Sequence, residues 1–143
     1  MPDGTFQIVG AAAGLLSLLW NVANALKQNK FKNCENEFKT IEELILEARR
    51  AAIRYWMAEQ RDQSKETELL ILLDDIASKL TSLQAASLIK SAPSLSEDLI
   101  SFRQAATLHP FQSNDWARDP GRCGEIRRAA DNLLHRFLQI RRY

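Results

Sequence analysis

Apolar residues along most of the chain recur at steps of three and four, the period of an amphipathic α-helix. Between residues 35 and 61 they are Phe38, Ile41, Ile45, Ala48, Ala52 and Tyr55. A more heptad-like set follows, comprising Leu69, Leu73, Ile76, Leu80, Leu83 and Ser87, and is widened by Leu70 and Leu72. No segment alternates apolar and polar residues as a half-buried strand does. The pattern predicts an all-α protein.

Polar and helix-breaking segments set the expected boundaries of the helices. Residues 29–33 predict a turn between a first helix at about 5–27 and a second at about 35–61. Ser94 and Glu97 stand at capping-box spacing and open a short helix. Asp119 followed by Pro120 predicts the start of the last helix, at about 120–142. The fold expected for residues 1–143 is a single-domain helical bundle of four long helices plus one short helix.

The first predicted helix has an unusual composition, since no charged side chain occurs in the 23 residues from Gly4 to Leu26. Gly10, Gly14 and Ser17 form a small-residue stripe, which suits close packing of two helices. Bulky residues surround it: Leu15, Leu18, Leu19 and Trp20. We predict that this set packs helices or mediates oligomerisation. The length also exceeds the roughly 20 residues that cross a bilayer, so core, interface and membrane remain alternatives.

Basic residues are concentrated after the first helix and near the end of the chain. Eight of these residues are candidates for binding the phosphate groups of lipid: Lys27, Lys30, Lys32, Arg127, Arg128, Arg136, Arg141 and Arg142. A solvated face on the last helix is the alternative reading of the arginines. The formal net charge is only +1, which is small for a nucleic-acid-binding protein, so no nucleic-acid partner is expected.

The residues that usually carry metals or cofactors are sparse and scattered. Cys34 and Cys123 are far apart and belong to no CxxC motif, so reduced thiols in a cytoplasmic protein are expected. His109 and His135 stand in separate segments. Asp74 and its neighbour Asp75 leave a helix about 100° apart and do not converge on one ion. The sequence therefore predicts no metal site and no cofactor.

Arg128 and His135 resemble one enzymatic motif. Helical HEPN-type ribonucleases carry an arginine, four to six intervening residues and a histidine on a late helix of an all-α bundle. Here six residues intervene, which places both side chains on one helix face about 10 Å apart along the axis. The resemblance implies a dimeric enzyme in which the histidine acts on the ribose 2′-hydroxyl or the leaving oxygen and the arginine stabilises the phosphate.

The run from Ile8 to Leu18, IVGAAAGLLSL, is similar to the start of HeLo-like domains, the N-terminal helical bundles of fungal NLR-like (STAND) proteins. The likeness is specific over residues 8–26. It implies a bundle led by an apolar, small-residue helix that oligomerises and engages membranes in cell death or innate immunity. The first helix here lacks the acidic residue of some pore-forming members. No nucleotide-binding or repeat domain follows the bundle within the 143 residues, so we expect either that the regulatory half is absent or that this sequence is an excised piece of a longer protein.

The leading functional hypothesis is a non-enzymatic interaction module, of the signalling or cell-death and defence type, that self-associates. In this hypothesis the protein is cytoplasmic, and membrane association through an anionic surface is left open. A HEPN-like ribonuclease that uses Arg128 and His135 is the first alternative. The second is a small immunity or adaptor protein that binds another protein.

Overall fold

Four α-helices occupy the described part of the chain. The computed structural model describes residues 2–89 and 93–140, with side chains from Ala13 onward. The helices are α1 (Pro2–Met57), α2 (Gln63–Ala85), α3 (Pro93–Thr107) and α4 (Arg122–Ile140). The predicted all-α helical-bundle class is confirmed. By contacts the chain divides into residues 1–36 and residues 37–143, and α1 belongs to both units.

The predicted turn at residues 29–33 is wrong, because α1 runs through it without a break. The sequence has neither glycine nor proline between Gly14 and Pro93. Lysine is a good helix former, and each asparagine costs well under about 1 kcal/mol relative to alanine. Polarity alone therefore does not end the helix. The first two predicted helices are one, which leaves four helices where four long and one short were expected.

Side-chain caps fix the starts of two helices where the sequence predicts breaks. The Asp62 carboxylate accepts hydrogen bonds from the backbone N–H groups of Ser64 at 2.9 Å and Lys65 at 3.3 Å. It thereby caps α2. The Asp119 Oδ1 atom accepts from the backbone N–H of Arg122 at 3.2 Å, as a cap residue accepts from the third helical N–H. The predicted cap at Asp119 is confirmed, although regular α4 geometry begins two residues after Pro120.

The core of residues 37–143 is built from the predicted stripes. The α1 members are at most 2% exposed: Phe38, Ile41, Ile45, Ala48, Ala52 and Tyr55. The α4 members are also buried: Ile126, Ala130, Leu133, Phe137 and Ile140. Ser87 is the exception in the α2 stripe. It lies beyond the end of α2, has a φ of 57° and is exposed.

Side-chain contacts join the helices of this unit in pairs. The rings of Phe38 and Phe137 meet edge to face with centroids 5.9 Å apart, which joins α1 to α4. The Trp56 indole Nε1 donates to the carbonyl of Ala106 at 2.8 Å, so the end of α1 is fixed to α3. The second half of α1 therefore lies at the centre of the bundle.

Candidate functional site

Seven large apolar side chains that lie close together along α1 are exposed. Its members are 51% to 69% exposed and are Leu15, Leu16, Leu18, Leu19, Trp20, Val22 and Leu26. These seven residues are called the α1 apolar surface below. Buried side chains of the same types form the core of residues 37–143. Since a monomer normally covers such residues, the α1 apolar surface is the strongest candidate for an interaction site.

The predicted small-residue stripe is exposed as well. Gly14 and Ser17 have open surroundings, and a Cβ atom added at Gly14 would meet nothing within 4 Å. The side-chain position of Gly10 lies outside the described residues. Every described side chain from residue 13 to residue 26 is exposed. Packing between chains remains a prediction.

Three exposed lysines follow the α1 apolar surface. Lys27, Lys30 and Lys32 lie on consecutive turns of α1, within a stretch in which every side chain from residue 13 to residue 33 is exposed. Among the described residues no helix is both long enough and apolar enough to cross a bilayer. At 100° per residue Lys30 lies on the side of Leu19 and Leu26, whereas Lys32 points about 160° away from Lys30. Lys30 is therefore the lysine best placed to reach a polyanionic surface together with the apolar side chains.

The predicted arginine cluster of α4 is divided between different surroundings. Arg127 lines an open groove of about 770 Å³ that is also lined by three arginines of α1. Arg128 lines a second groove, formed by α3 and α4. Arg136 forms an ion pair with Asp98 at 3.0 Å. Arg141 and Arg142 lie outside the described residues. The three described arginines of this cluster, Arg127, Arg128 and Arg136, therefore do not share one surface.

The two residues of the ribonuclease alternative have different neighbours. Arg128 lies beside the α3 residues Asp98 and Ser101 in its groove. The ring nitrogen Nε2 of His135 is 3.0 Å from the side-chain nitrogen of Gln139, one turn further along α4. No contact among the described residues joins Arg128 to His135. Nothing in this geometry therefore favours the ribonuclease alternative over the leading hypothesis.

The structure contains a buried ionic cluster that the sequence reasoning missed. Glu66 is 2% exposed, and its Oε1 atom accepts hydrogen bonds from the Tyr55 hydroxyl and from Nε of Arg61, both at 2.6 Å. The Arg61 hydrogen bond holds the pKa of Glu66 below its usual value. Burial, followed by the hydrogen bond to Glu66, raises the pKa of Tyr55. The available signal was that Glu66 lies three residues before Leu69, on the apolar stripe of α2.

An aromatic cluster lies beside this ionic cluster. Trp56 stacks on Trp116 with ring centroids 6.3 Å apart, and Tyr55 meets Trp116 edge to face at 5.8 Å. The Arg122 guanidinium lies 4.0 Å from the centre of the Trp56 ring. It also donates to the carbonyls of Leu108 at 2.6 Å and His109 at 2.9 Å. These contacts order the segment between α3 and α4, so we interpret both clusters as structural.

The cysteines and histidines of the described residues form no cluster. Cys34 and Cys123 are both buried free thiols, and burial raises the pKa of Cys123. No group of three His, Cys, Asp or Glu side chains in the described ranges is arranged to hold a metal ion. The comparison with protein-family models, curated proteins and solved structures finds no match. Functional inference therefore rests on the surfaces of this chain.

Proposed function

We propose that the protein is a non-enzymatic helical interaction module that works by self-association through the α1 apolar surface. The observation that carries the proposal is the exposure of seven large apolar side chains within twelve residues of one helix. In a monomer these side chains would order water at a cost that association removes. A second copy of the same surface supplies apolar cover.

The size of the surface supports a protein interface. At about 100 Å² for each large apolar side chain, seven of them expose roughly 700 Å². The largest apolar patch on a typical monomer is about 300–600 Å². Each partner in a standard protein–protein interface buries about 800 Å². The summed area of the seven side chains is comparable with both of these values, and Leu16 and Trp20 contribute to it from about 100° and 140° around the helix from the middle of the other apolar side chains.

The proposal is tested by measuring the mass of the full chain over about a hundredfold range of concentration by sedimentation velocity. We expect the weight-average mass to rise with concentration from one chain toward a defined multiple. A constant mass of one chain across the range would contradict self-association. Aggregates without a defined mass would contradict a specific module.

Binding to an anionic membrane surface is a second candidate function. It is favoured by the position of Lys27, Lys30 and Lys32 directly after the α1 apolar surface, all of them exposed. Apolar side chains can insert at the level of the headgroups, while each lysine near an anionic surface contributes about 1 kcal/mol. The helix would then lie in the plane of the membrane.

Flotation with vesicles tests the membrane candidate. We expect the parent chain to float with vesicles rich in phosphatidylserine and to do so less with neutral ones. Replacing Lys27, Lys30 and Lys32 by glutamine should abolish the difference. Replacing Lys39, Lys65 and Lys79 by glutamine is the control for net charge and should retain it. Equal behaviour of the two triple variants would contradict the candidate.

A further inference from the structure

The large residues of the α1 apolar surface contain a heptad seam. Leu15, Leu19, Val22 and Leu26 are separated by four, three and four residues, the spacing by which one helix packs against another in a coiled coil. At 100° per residue they fall within about 60° of arc around α1. All four are at least 51% exposed. The seam is therefore continuous and accessible.

The small-residue stripe lies on the other side of the same helix. Ser17 and Asn24 are about 160° to 180° from the middle of the seam. Gly14 also faces away from it, and a Cβ atom there would touch nothing. The seam and the stripe thus offer two different packing faces. Burial of large side chains favours the seam, because close approach along Gly14 would leave the leucines exposed.

The seam is symmetric about its own centre. In an antiparallel pair of helices, Leu15 of one copy meets Leu26 of the other, and Leu19 meets Val22. Each layer then contains two large apolar side chains. A parallel pair matches each residue with itself and fills the layers equally well. Side-chain size therefore does not choose between the two directions.

The distribution of charged residues favours the antiparallel direction. In a parallel pair, Lys27, Lys30 and Lys32 of both copies would lie within about 8 Å along the axis, and Lys30, about 50° from the middle of the seam, would lie beside its own counterpart, so that like charges repel. In the antiparallel pair the three lysines lie level with residues 9–14 of the other copy, none of which is charged. The helix dipoles also oppose one another in that arrangement.

We infer that two copies of this chain pair through residues 15–26 of α1 as an antiparallel coiled coil, with the Gly14 and Ser17 face turned outward. The inference rests on the proposed self-association. It adds which face of α1 pairs, the relative direction of the two helices and the alignment of their residues. In this alignment, a residue of one copy lies at the same height along the helix axis as the residue of the other copy whose number adds with its own to 41. Leu16 and Leu18 flank the seam and widen its apolar contact.

Disulfide trapping tests the direction and the face in the full chain. Leu15→Cys and Leu26→Cys proteins are oxidised separately and as an equimolar mixture. Ser17→Cys and Asn24→Cys are the matched control, since their numbers also add to 41 but both lie on the opposite face. The parent, whose Cys34 and Cys123 are buried, gives the background. All substitutions fall on exposed positions, and a cooperative melt confirms each fold.

The inference predicts a covalent dimer at least tenfold above background for the mixture of Leu15→Cys and Leu26→Cys proteins, and background for every other sample. Dimers from each of these variants alone would overturn the antiparallel direction while leaving self-association intact. Dimers from the mixture of Ser17→Cys and Asn24→Cys proteins would overturn the seam. Background everywhere with a dimeric mass overturns only this inference, and background with a monomeric mass overturns self-association as well.

Discussion

The Tyr55 hydroxyl donates a 2.6 Å hydrogen bond to a Glu66 carboxylate that is 2% exposed. This contact joins the end of α1 to the first turn of α2, and Arg61 from the intervening turn completes it. A buried carboxylate is stable only when it is paired and hydrogen-bonded. The bundle therefore depends on a polar contact at a point where the apolar stripes alone would predict only packing.

Tyr55→Phe should lower the free energy of unfolding by about 1–2 kcal/mol. The ring contacts with Trp56 and Trp116 remain, but a buried Glu66 oxygen loses one donor. Urea denaturation measures the change. Thr81→Val removes an exposed hydroxyl from α2 and is the control, for which less than about 0.5 kcal/mol is expected. Equal effects of the two substitutions would contradict a special role for the Tyr55 contact.

Acid should weaken the bundle through Glu66. The pKa of Glu66 is lower in the folded chain than in the unfolded chain because Arg61 binds the carboxylate. Its contribution is therefore complete above the ordinary glutamate pKa and is lost as pH falls through the lower folded value. Glu66→Gln should be less stable than the parent at pH 7 and lose less stability on acidification. Urea denaturation of both proteins at neutral and acid pH measures this.

The exposed Glu43→Gln variant is the control for the acid effect and should follow the parent at every pH. If acidification lowered the stability of Glu66→Gln as much as that of the parent, the lowered pKa of Glu66 would not contribute to the acid sensitivity. At alkaline pH, the stability that depends on Tyr55 is lost as the pH rises, whereas that of Glu66 is lost as the pH falls. Its pKa is raised on folding, so the stability linked to its hydroxyl falls above about pH 10, where the unfolded tyrosine ionises.

Arg122→Gln should destabilise the segment between α3 and α4 by about 1–3 kcal/mol. The substitution removes the cation from the Trp56 face and two hydrogen bonds to backbone carbonyls. Trp fluorescence and urea denaturation report the loss. Arg127→Gln, an exposed arginine on the same helix, is the control and should change little. An Arg122→Gln variant as stable as the control would contradict the account of this segment.

Gly14→Ala should stabilise residues 13–26 of α1 without changing the number of chains in the assembly. Alanine is favoured over glycine in a helix by about 1 kcal/mol, and the new methyl group meets open space. Amide hydrogen exchange should slow in this segment and not in α4. A fall in the assembled fraction would show instead that the small-residue face packs against another chain.

The buried stripes could be predicted from the sequence because the helical period and residue type together decide burial. Phe38 and Phe137 are both among the predicted core residues and touch in the structure. The continuity of α1 through residues 29–33 could not be predicted from polarity, since the polar residues there are compatible with a helix. Glu66 was missed because its partner Tyr55 lies eleven residues earlier, beyond any local motif.

The candidate site was predicted only in part. The charge-free composition identified the segment in which large apolar side chains are exposed, but the sequence alone does not decide whether such side chains face a core or solvent. Residues 37–143 form a core from their own stripes. The arginines of α4 were candidates for a phosphate-binding group, with a solvated face as the alternative. Arg127 and Arg128 diverge because adjacent helical residues point about 100° apart.

The most direct test of self-association through the α1 apolar surface is the mass of a Leu19→Asn, Val22→Asn double variant. Ile71→Asn, Ile100→Asn is the matched control, since those two isoleucines are 54% and 55% exposed on α2 and α3. At a concentration where the parent is assembled, sedimentation velocity should give one chain for the first variant and the parent mass for the control. A parent mass for both variants would contradict the account.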